Sequence, residues 1–195
     1  MSKILITGSA GFVSSHVIKA LLEVGHEVTG LDSFDVEVHP HPKQQLVDTY
    51  RSDLEYWNPK QELDFDAVIH FAALGGVSRA ARDPKAIIEA NCLGTARLVE
   101  ILKERCRNLK YAILASSFSV YGSNYTYICP TCQFTKGAKR YEQNLKAGSY
   151  DIYCSMGKCA PTPMIVSPVT EETSPSPLEL YATTKYTQEI LWRGF

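Results

Sequence analysis

Short apolar runs alternate along the chain with stretches whose apolar residues recur every three or four positions. Ile4-Leu5-Ile6 is a run closed by Thr7-Gly8, the pattern of a strand buried on both faces. Phe12, Val13, Val17, Ile18, Leu21 and Leu22 then fall at helical spacing, and Gly25 supplies the stop. Glu27 to Leu31 reads as a second strand with Asp32 at its end, 34–45 as a His- and Pro-rich loop, and Leu46 to Tyr50 as a short third strand. Asp66 to Phe71 forms a fourth strand. A long helix is predicted from Pro84, a good first-turn residue, to Arg105. Tyr111 to Ala115 gives a fifth strand and Leu178 to Arg193 a closing helix. Strands alternating with helices predict the α/β class, a doubly wound parallel sheet covered on both faces.

The rhythm breaks at 123–168, more than forty residues with four cysteines and little periodicity. A structureless loop of that length is improbable inside a domain. The expected organisation is therefore an α/β domain from 1–122 and 169–195, with 123–168 as an inserted subdomain holding its own staple.

Composition narrows the function. The chain has 195 residues, 45% hydrophobic and 21% charged, with a net charge of −1, which points away from nucleic acid or an anionic membrane surface as partner. No apolar run approaches the ~20 residues that span a bilayer. The N-terminus enters a strand at once without a targeting pattern, so the cytoplasm is the expected location. In a reducing compartment, close-spaced cysteines lean towards metal. Cys129-Pro130-Thr131-Cys132 and Cys154-Ser155-Met156-Gly157-Lys158-Cys159, with 21 residues between them, match a zinc-ribbon-like four-cysteine site for one structural zinc; disulfides or incidental thiols are the alternatives. Cys92 and Cys106 read as small apolar helix residues. Lys136, Lys139, Arg140, Lys146 and Lys158 against Glu142 and Asp151 leave the insert near +3, a solvated basic face or a contact for a phosphate or partner.

Thr7-Gly8-Ser9-Ala10-Gly11-Phe12-Val13-Ser14 follows a strand and opens a helix. Gly8 permits the tight turn, Gly11 lets backbone approach a pyrophosphate, and the helix start offers free N–H donors, the Rossmann arrangement. Asp32 can accept from both ribose hydroxyls and repel a 2′-phosphate, favouring NAD over NADP. Ser14 stands where a third glycine would allow close helix–strand packing.

At these residues the sequence resembles the extended short-chain dehydrogenase/reductases, the NAD-dependent epimerase/dehydratase kind. Ser52-Asp53-Leu54, His70-Phe71-Ala72-Ala73, Asn91-Cys92-Leu93-Gly94-Thr95, Ser116-Ser117-Phe118-Ser119-Val120-Tyr121-Gly122, Glu171-Glu172-Thr173 with Ser176-Pro177, and Tyr181-Ala182-Thr183-Thr184-Lys185 are similar to that family's motifs, in order. The similarity covers almost the whole chain outside 123–168, and the insert itself resembles a cysteine-bearing insert of some nucleotide-sugar epimerases. It implies catalytic roles for Ser117, Tyr181 and Lys185. It implies NAD contacts from Gly8, Ala10, Gly11, Phe12, Val13, Asp32, Ser33, Asp53, Leu54, Phe71, Ala72, Ala73, Asn91 and Ser116, with Tyr181 and Lys185 reaching the nicotinamide end.

The residues make chemical sense in those roles. Tyr181 and Lys185, four apart, share a helix face. A tyrosine titrates near about 10, and an ammonium with the positive nicotinamide would pull it down. Ser117 can bridge a substrate oxygen to the phenol. The implied reaction is epimerisation at C4 of a UDP- or dTDP-hexose: Tyr181 takes the hydroxyl proton, hydride goes to NAD, and it returns to the other face of the keto-sugar. The dehydrating relatives usually carry an acid within two residues of the catalytic hydroxyl; here Phe118 and Ser119 stand there, favouring epimerase over dehydratase or reductase. The family usually continues into a C-terminal substrate domain, expected to be absent from a chain ending at Leu191-Trp192-Arg193-Gly194-Phe195. The chain could therefore be a homodimer, one component of a split enzyme whose partner supplies that domain, or a non-catalytic NAD-binding module. Trp192 and Phe195 are expected to be exposed.

Overall fold

In the computed structural model, which describes residues 1–39, 45–122, 127–133, 138–156, 159, 162–166 and 168–194, the chain divides into two units. The first comprises residues 1–120 and 179–195, the second 121–178. The second is thus longer than the insert expected from the cysteines, because 169–178 group with it. Pro and Ser punctuate that stretch, and no periodicity marks its boundary.

The first unit is a five-stranded parallel sheet in the order β3-β2-β1-β4-β5. Its strands are β1 (Lys3–Thr7), β2 (Glu27–Asp32), β3 (Thr49–Arg51), β4 (Ala67–His70) and β5 (Tyr111–Leu114). Thr7 aligns with Leu31 on one side and His70 on the other, so the ends of the three central strands lie level. Side chains alternate between the two faces. Leu5, Leu31 and Val68 pack with Leu98, Ile101 and Leu102 of α4 (Gly94–Arg105), whereas Ile4, Ile6 and Ile69 pack with Ile18 of α1 (Phe12–Glu23). Burying each such side chain contributes ~1.5–3 kcal/mol. This is the doubly wound α/β class that the apolar runs predict.

Pro84 to Arg105 is helical throughout: α3 (Pro84–Ile88) runs through one wide turn, Glu89–Leu93, into α4. Asp83 caps its start by accepting from Ala86 N at 3.0 Å. Three expectations shift. The third strand falls at Thr49–Arg51 rather than 46–50. A short helix α2 (Val77–Arg82) precedes α3 where none was predicted. The apolar helical spacing also does not bury every residue it includes: Phe12 and Val13, at the start of α1, are 74% and 56% exposed.

The second unit carries paired two-residue strands, β6 (Tyr127–Ile128) on β9 (Ile165–Val166) and β7 (Ala138–Lys139) on β8 (Tyr153–Cys154), with a helix α5 (Glu142–Lys146). Gly122 opens it at φ +60, where an added Cβ would run into Ser176 O. The first unit closes with α6 (Leu180–Arg193), packed on α4 and β5.

Candidate active site

The strand order reverses between β1 and β4, the point where open α/β sheets leave a crevice at their carboxyl ends. Gly8 turns out of β1 at φ +67, and a Cβ there would meet Ala72 N at 2.8 Å. Gly11 N–H donates back to Gly8 O at 3.0 Å, and Ser14 Oγ donates to the same oxygen at 2.6 Å. Ser14 is buried: the third small position is kept, with its hydroxyl locking the turn. Gly11 caps α1 without any side-chain hydrogen bond, so its first amides are not capped by a side chain. Asp32, 7% exposed, accepts from Ala10 N at 2.9 Å and from Phe34 N at 2.7 Å. Its carboxylate therefore braces the glycine turn as well as facing the crevice.

The crevice is a groove of ≈ 350 Å³. Gly8, Gly11, Asp32, Ser33, Asp53, Leu54, Phe71, Ala72 and Ala73 line it, all of them expected NAD contacts. Arg79 of α2 lines it too, bound to Asp35 at 2.7 Å. His39 closes one side with Nε2 3.8 Å from Asp32, and its buried Nδ1 has no hydrogen-bond partner among the described residues. A Cβ-free turn, an acid at the end of β2 and an orphaned imidazole nitrogen fit the adenosine and pyrophosphate of a dinucleotide.

Of the other expected contacts, Ala10 donates to Asp32, Phe12 and Val13 open α1, Tyr181 and Lys185 stand on α6, and Asn91 and Ser116 are engaged within the protein. Asn91 is fully buried: its amide donates to Leu74 O and Thr184 Oγ1, each at 3.0 Å, and its Oδ1 accepts from Leu74 N at 2.7 Å. It ties the loop after β4 to α6, because the wide turn aims its side chain inward. Ser116 is exposed and its hydroxyl is taken by the Glu189 carboxylate of α6.

Beyond Leu74 the groove gives way to the reactive groups. Tyr181 and Lys185 project from one face of α6, and Gly75 lies against the tyrosine ring, a Cβ there standing 3.8 Å from Cε2. The Ser117 hydroxyl, just past β5, acts on the Tyr181 phenol, and it also contacts Ser119 Oγ at 2.8 Å. Burial raises the phenol above its ordinary value; the Ser117 hydrogen bond opposes this and the Glu179 charge adds to it. Lys185 is 3% exposed, donates to Ala115 O at 2.9 Å, and burial lowers it to about 8. In the free chain burial dominates the phenol and the Lys185 ammonium is anchored on a carbonyl; the lowering expected from Lys185 and the nicotinamide together belongs to the NAD-bound state.

Behind this site lies a buried polar network that sequence reasoning missed. His70 Nδ1 meets Thr7 Oγ1 at 2.6 Å, its Nε2 meets Thr95 Oγ1 at 2.9 Å, and Gln188 Nε2 donates to Thr95 Oγ1 at 2.7 Å. Burial first, then the Lys185 charge, lowers His70 to about 3, so it is neutral. Trp192 stacks on the His70 ring at 5.2 Å and donates to Ala112 O. The expectation of an exposed Trp192 therefore fails, since its ring covers the network; Phe195 lies outside the described residues. The only hint in the sequence was spacing, with Gln188 and Trp192 at seven and eleven residues after Tyr181 on one helical stripe.

In the second unit the Sγ atoms of Cys129, Cys132, Cys154 and Cys159 all lie within 4.8 Å of one another. Cys129, Cys154 and Cys159 are buried and Cys132 is exposed. Lys146 of the expected basic face pairs with Glu142 at 2.7 Å, while Lys136 and Lys158 lie outside the described residues. Cys106 is buried against the first unit's core and Cys92 is half-buried. No helix among the described residues is long and apolar enough to cross a membrane.

Comparison with known proteins agrees with this architecture. The model of the NAD dependent epimerase/dehydratase family matches residues 4–195. The UDP-glucose 4-epimerase of Pisum sativum is 34% identical over 134 residues, 62% of this chain and 38% of that protein. The probable UDP-glucuronate 4-epimerase of Rhizobium meliloti is 34% identical over 133 residues, with the same coverage. Among solved structures, the UDP-glucose 4-epimerase of Bifidobacterium longum, in complex with NAD+ and UDP, superposes with a TM-score of 0.63 at 23% identity, over 99% of this chain and 48% of that one. The UDP-N-acetylglucosamine 4-epimerase of Methanobrevibacter ruminantium gives 0.65 at 22% identity, over 100% and 50%. The chain belongs to the NAD dependent epimerase/dehydratase family. It spans about two fifths of the length of the curated relatives it matches.

Proposed function

We propose that the first unit binds NAD and carries the acid–base groups for epimerising a nucleotide sugar, a UDP- or dTDP-hexose, at C4. The observation that carries this reading is the convergence of Ser117, Tyr181 and Lys185 just beyond a groove floored by Gly8 and Gly11 and faced by Asp32. Gly8, Gly11 and the start of α1 suit the pyrophosphate, and Asp32 with Ser33 suits the adenosine ribose. When bound, the cofactor supplies a hydride acceptor that can hand the hydride back.

The chain's own groups move the proton. The Tyr181 phenolic oxygen takes it from the sugar hydroxyl and later returns it, while the Ser117 hydroxyl holds the substrate oxygen against the phenol. Lys185 keeps its charge below a pH of about 8 and sets a cation on the tyrosine's helix face. Phe118 and Ser119 offer no acid for work at C5 or C6, which favours epimerisation over dehydration. A homodimer, or a partner chain that contributes to the substrate site, in a cytoplasmic setting, belongs to the same proposal. We further propose that the four cysteines of the second unit hold a structural zinc ion outside the reaction.

Titration of the chain with NAD and NADP is expected to show NAD binding more tightly, with Asp32→Ala narrowing the difference; equal affinities in the unaltered chain would sink the cofactor assignment. Tyr181→Phe is expected to cut turnover of a UDP- or dTDP-sugar at least ~100-fold with NAD affinity kept, because it deletes the base and hardly alters shape. Undiminished turnover in that variant would overturn the mechanism, and normal NAD binding without any turnover in the unaltered protein would favour a non-catalytic module.

A further inference from the structure

The second unit has little besides its cysteines to fold around. Among the described residues its buried side chains are Cys129, Cys154, Cys159 and Met164, with Tyr127 and Ile152 packed against them. Its paired strands are two residues long, and α5 buries nothing. Ladders so short cannot offset a backbone ordering cost of about 1–2 kcal/mol per residue.

The thiols, in contrast, are arranged. Bonds of about 2.3 Å to a tetrahedral ion set sulfurs about 3.8 Å apart; Cys132 and Cys154 stand at 3.7 Å, and all four lie within 4.8 Å. The Cys129-Pro130-Thr131-Cys132 turn presents the N–H groups of Thr131 and Cys132 to the Cys129 sulfur. It closes with Gln133 N donating to Cys129 O at 2.8 Å. Gln133 is held at φ +57, a left-handed conformation that a non-glycine residue adopts only under constraint. At the second pair, Met156 N–H is turned to the Cys154 sulfur. Four sulfurs converging at tetrahedral spacing, with backbone N–H groups turned towards two of them, are the arrangement of a four-cysteine zinc site.

We infer that the second unit is a metal-built fold: a zinc ion held by Cys129, Cys132, Cys154 and Cys159 is its core, and the unit's described residues order only around that ion. The inference rests on the zinc reading above and goes beyond it, because zinc can also decorate a unit that stands without it. Loading replaces four S–H bonds by four metal–sulfur bonds and releases the protons to solvent.

The test uses the whole chain, purified without added metal, assayed for metal content, stripped with a chelator under reducing conditions, and reloaded with Zn2+ or Co2+. One zinc per chain, a tetrathiolate cobalt spectrum, and cleavage within 121–178 at least about tenfold faster after stripping, reversed by reloading, are expected, with 1–120 still protected. Cys132→Ser is expected to lose both metal and protection, and Cys132→His, which keeps a ligand, to retain both. Zinc present but protection undiminished by stripping would overturn this inference and leave the zinc reading standing. A protected unit with four free thiols and no metal uptake would overturn both, and a tightly bound iron in place of zinc would overturn the choice of ion. Metal content and protease protection need neither NAD nor a sugar, so neither failure can be confused with failure of the proposed reaction.

Discussion

The two units of this chain solve the same problem with different materials. In the first, Leu5, Ile6, Val68, Leu98 and Ile101 are fully shielded from water, and strands three to six residues long alternate their side chains between two helix-covered faces. In the second, among the described residues, three of the four buried side chains in its cluster are cysteines and no strand exceeds two residues. Apolar burial is distributed, so removing one contact weakens the whole by a fraction. A metal core is concentrated, so one ligand decides everything. The contrast also separates the roles: the distributed core holds the reactive groups of α6 in place, and the concentrated one contains none of the proposed catalytic side chains.

The largest effect expected in the first unit comes from cutting into that distributed core. Leu98 is fully buried on α4 among Leu5, Val68 and Ile101. Leu98→Ala is expected to cost ~2–5 kcal/mol in urea unfolding through lost transfer energy and the cavity left behind. Zinc content should stay unchanged, because no cysteine ligand belongs to that cluster. A loss of metal along with stability would mean the two units fold as one and would break the comparison.

The same contrast explains what could be read in the sequence. Periodicity reports apolar cores, so the strand runs, the long helix from Pro84 and the closing helix were legible, as was the glycine turn whose function is local. Spacing marked the two cysteine pairs, whose sulfurs the structure brings together, although their surroundings were not legible. The polar interior of the first unit was neither. His70 was recognisable as part of a family motif, but its burial, its link to Thr7 and Thr95, and the covering Trp192 depend on side chains 63, 25 and 122 residues away. The inward bonds of the Asn91 side chain were hidden for a related reason: only the wide turn at Glu89–Leu93 decides which way it faces.

That polar interior gives the next effect in size, and it sharpens the comparison through pH. His70 titrates at about 3 in the folded chain and at 6.5 ordinarily, so the unfolded chain binds the extra proton between those values. Stability of the first unit is therefore intact above pH 6.5 and falls as pH drops towards 3, by up to roughly 1.4 kcal/mol per pH unit from this residue. Urea midpoints measured from pH 7 to 4 should show the slope, and His70→Gln, which cannot gain a charge, should flatten it even if its starting stability is lower. An unchanged slope in that variant would place the acid sensitivity elsewhere. At the proposed zinc site acid would act by another route, protonating sulfur and releasing the ion, so metal loss need not track the first unit's unfolding.

The smallest effect concerns the start of α6, where structure and proposed chemistry meet. Glu179 caps this helix, its two carboxylate oxygens accepting from Tyr181 N and Ala182 N, each at 2.9 Å. These are two of the amides that a helix start leaves without intrahelical partners. The capped turn carries Tyr181, so fraying it loosens the phenol from Ser117 while leaving Lys185, a turn further on and anchored to Ala115 O, in place. Glu179→Ala is expected to cost ~1 kcal/mol and to lower the melting temperature of the first unit by about 2–4 °C. It also removes the negative charge that helps hold the phenol's pKa up. Two consequences for turnover therefore oppose each other: a less well-held base, and one that ionises more easily. They separate in a pH–rate profile, where the lost charge moves the rising limb to lower pH and the frayed turn lowers the plateau. Glu179→Gln, which keeps an acceptor for the cap but no charge, should show the shifted limb with most of the plateau and stability restored. A profile identical to the unaltered protein in both variants would mean that the first turn of α6 is held by packing alone and that Glu179 does not position the tyrosine.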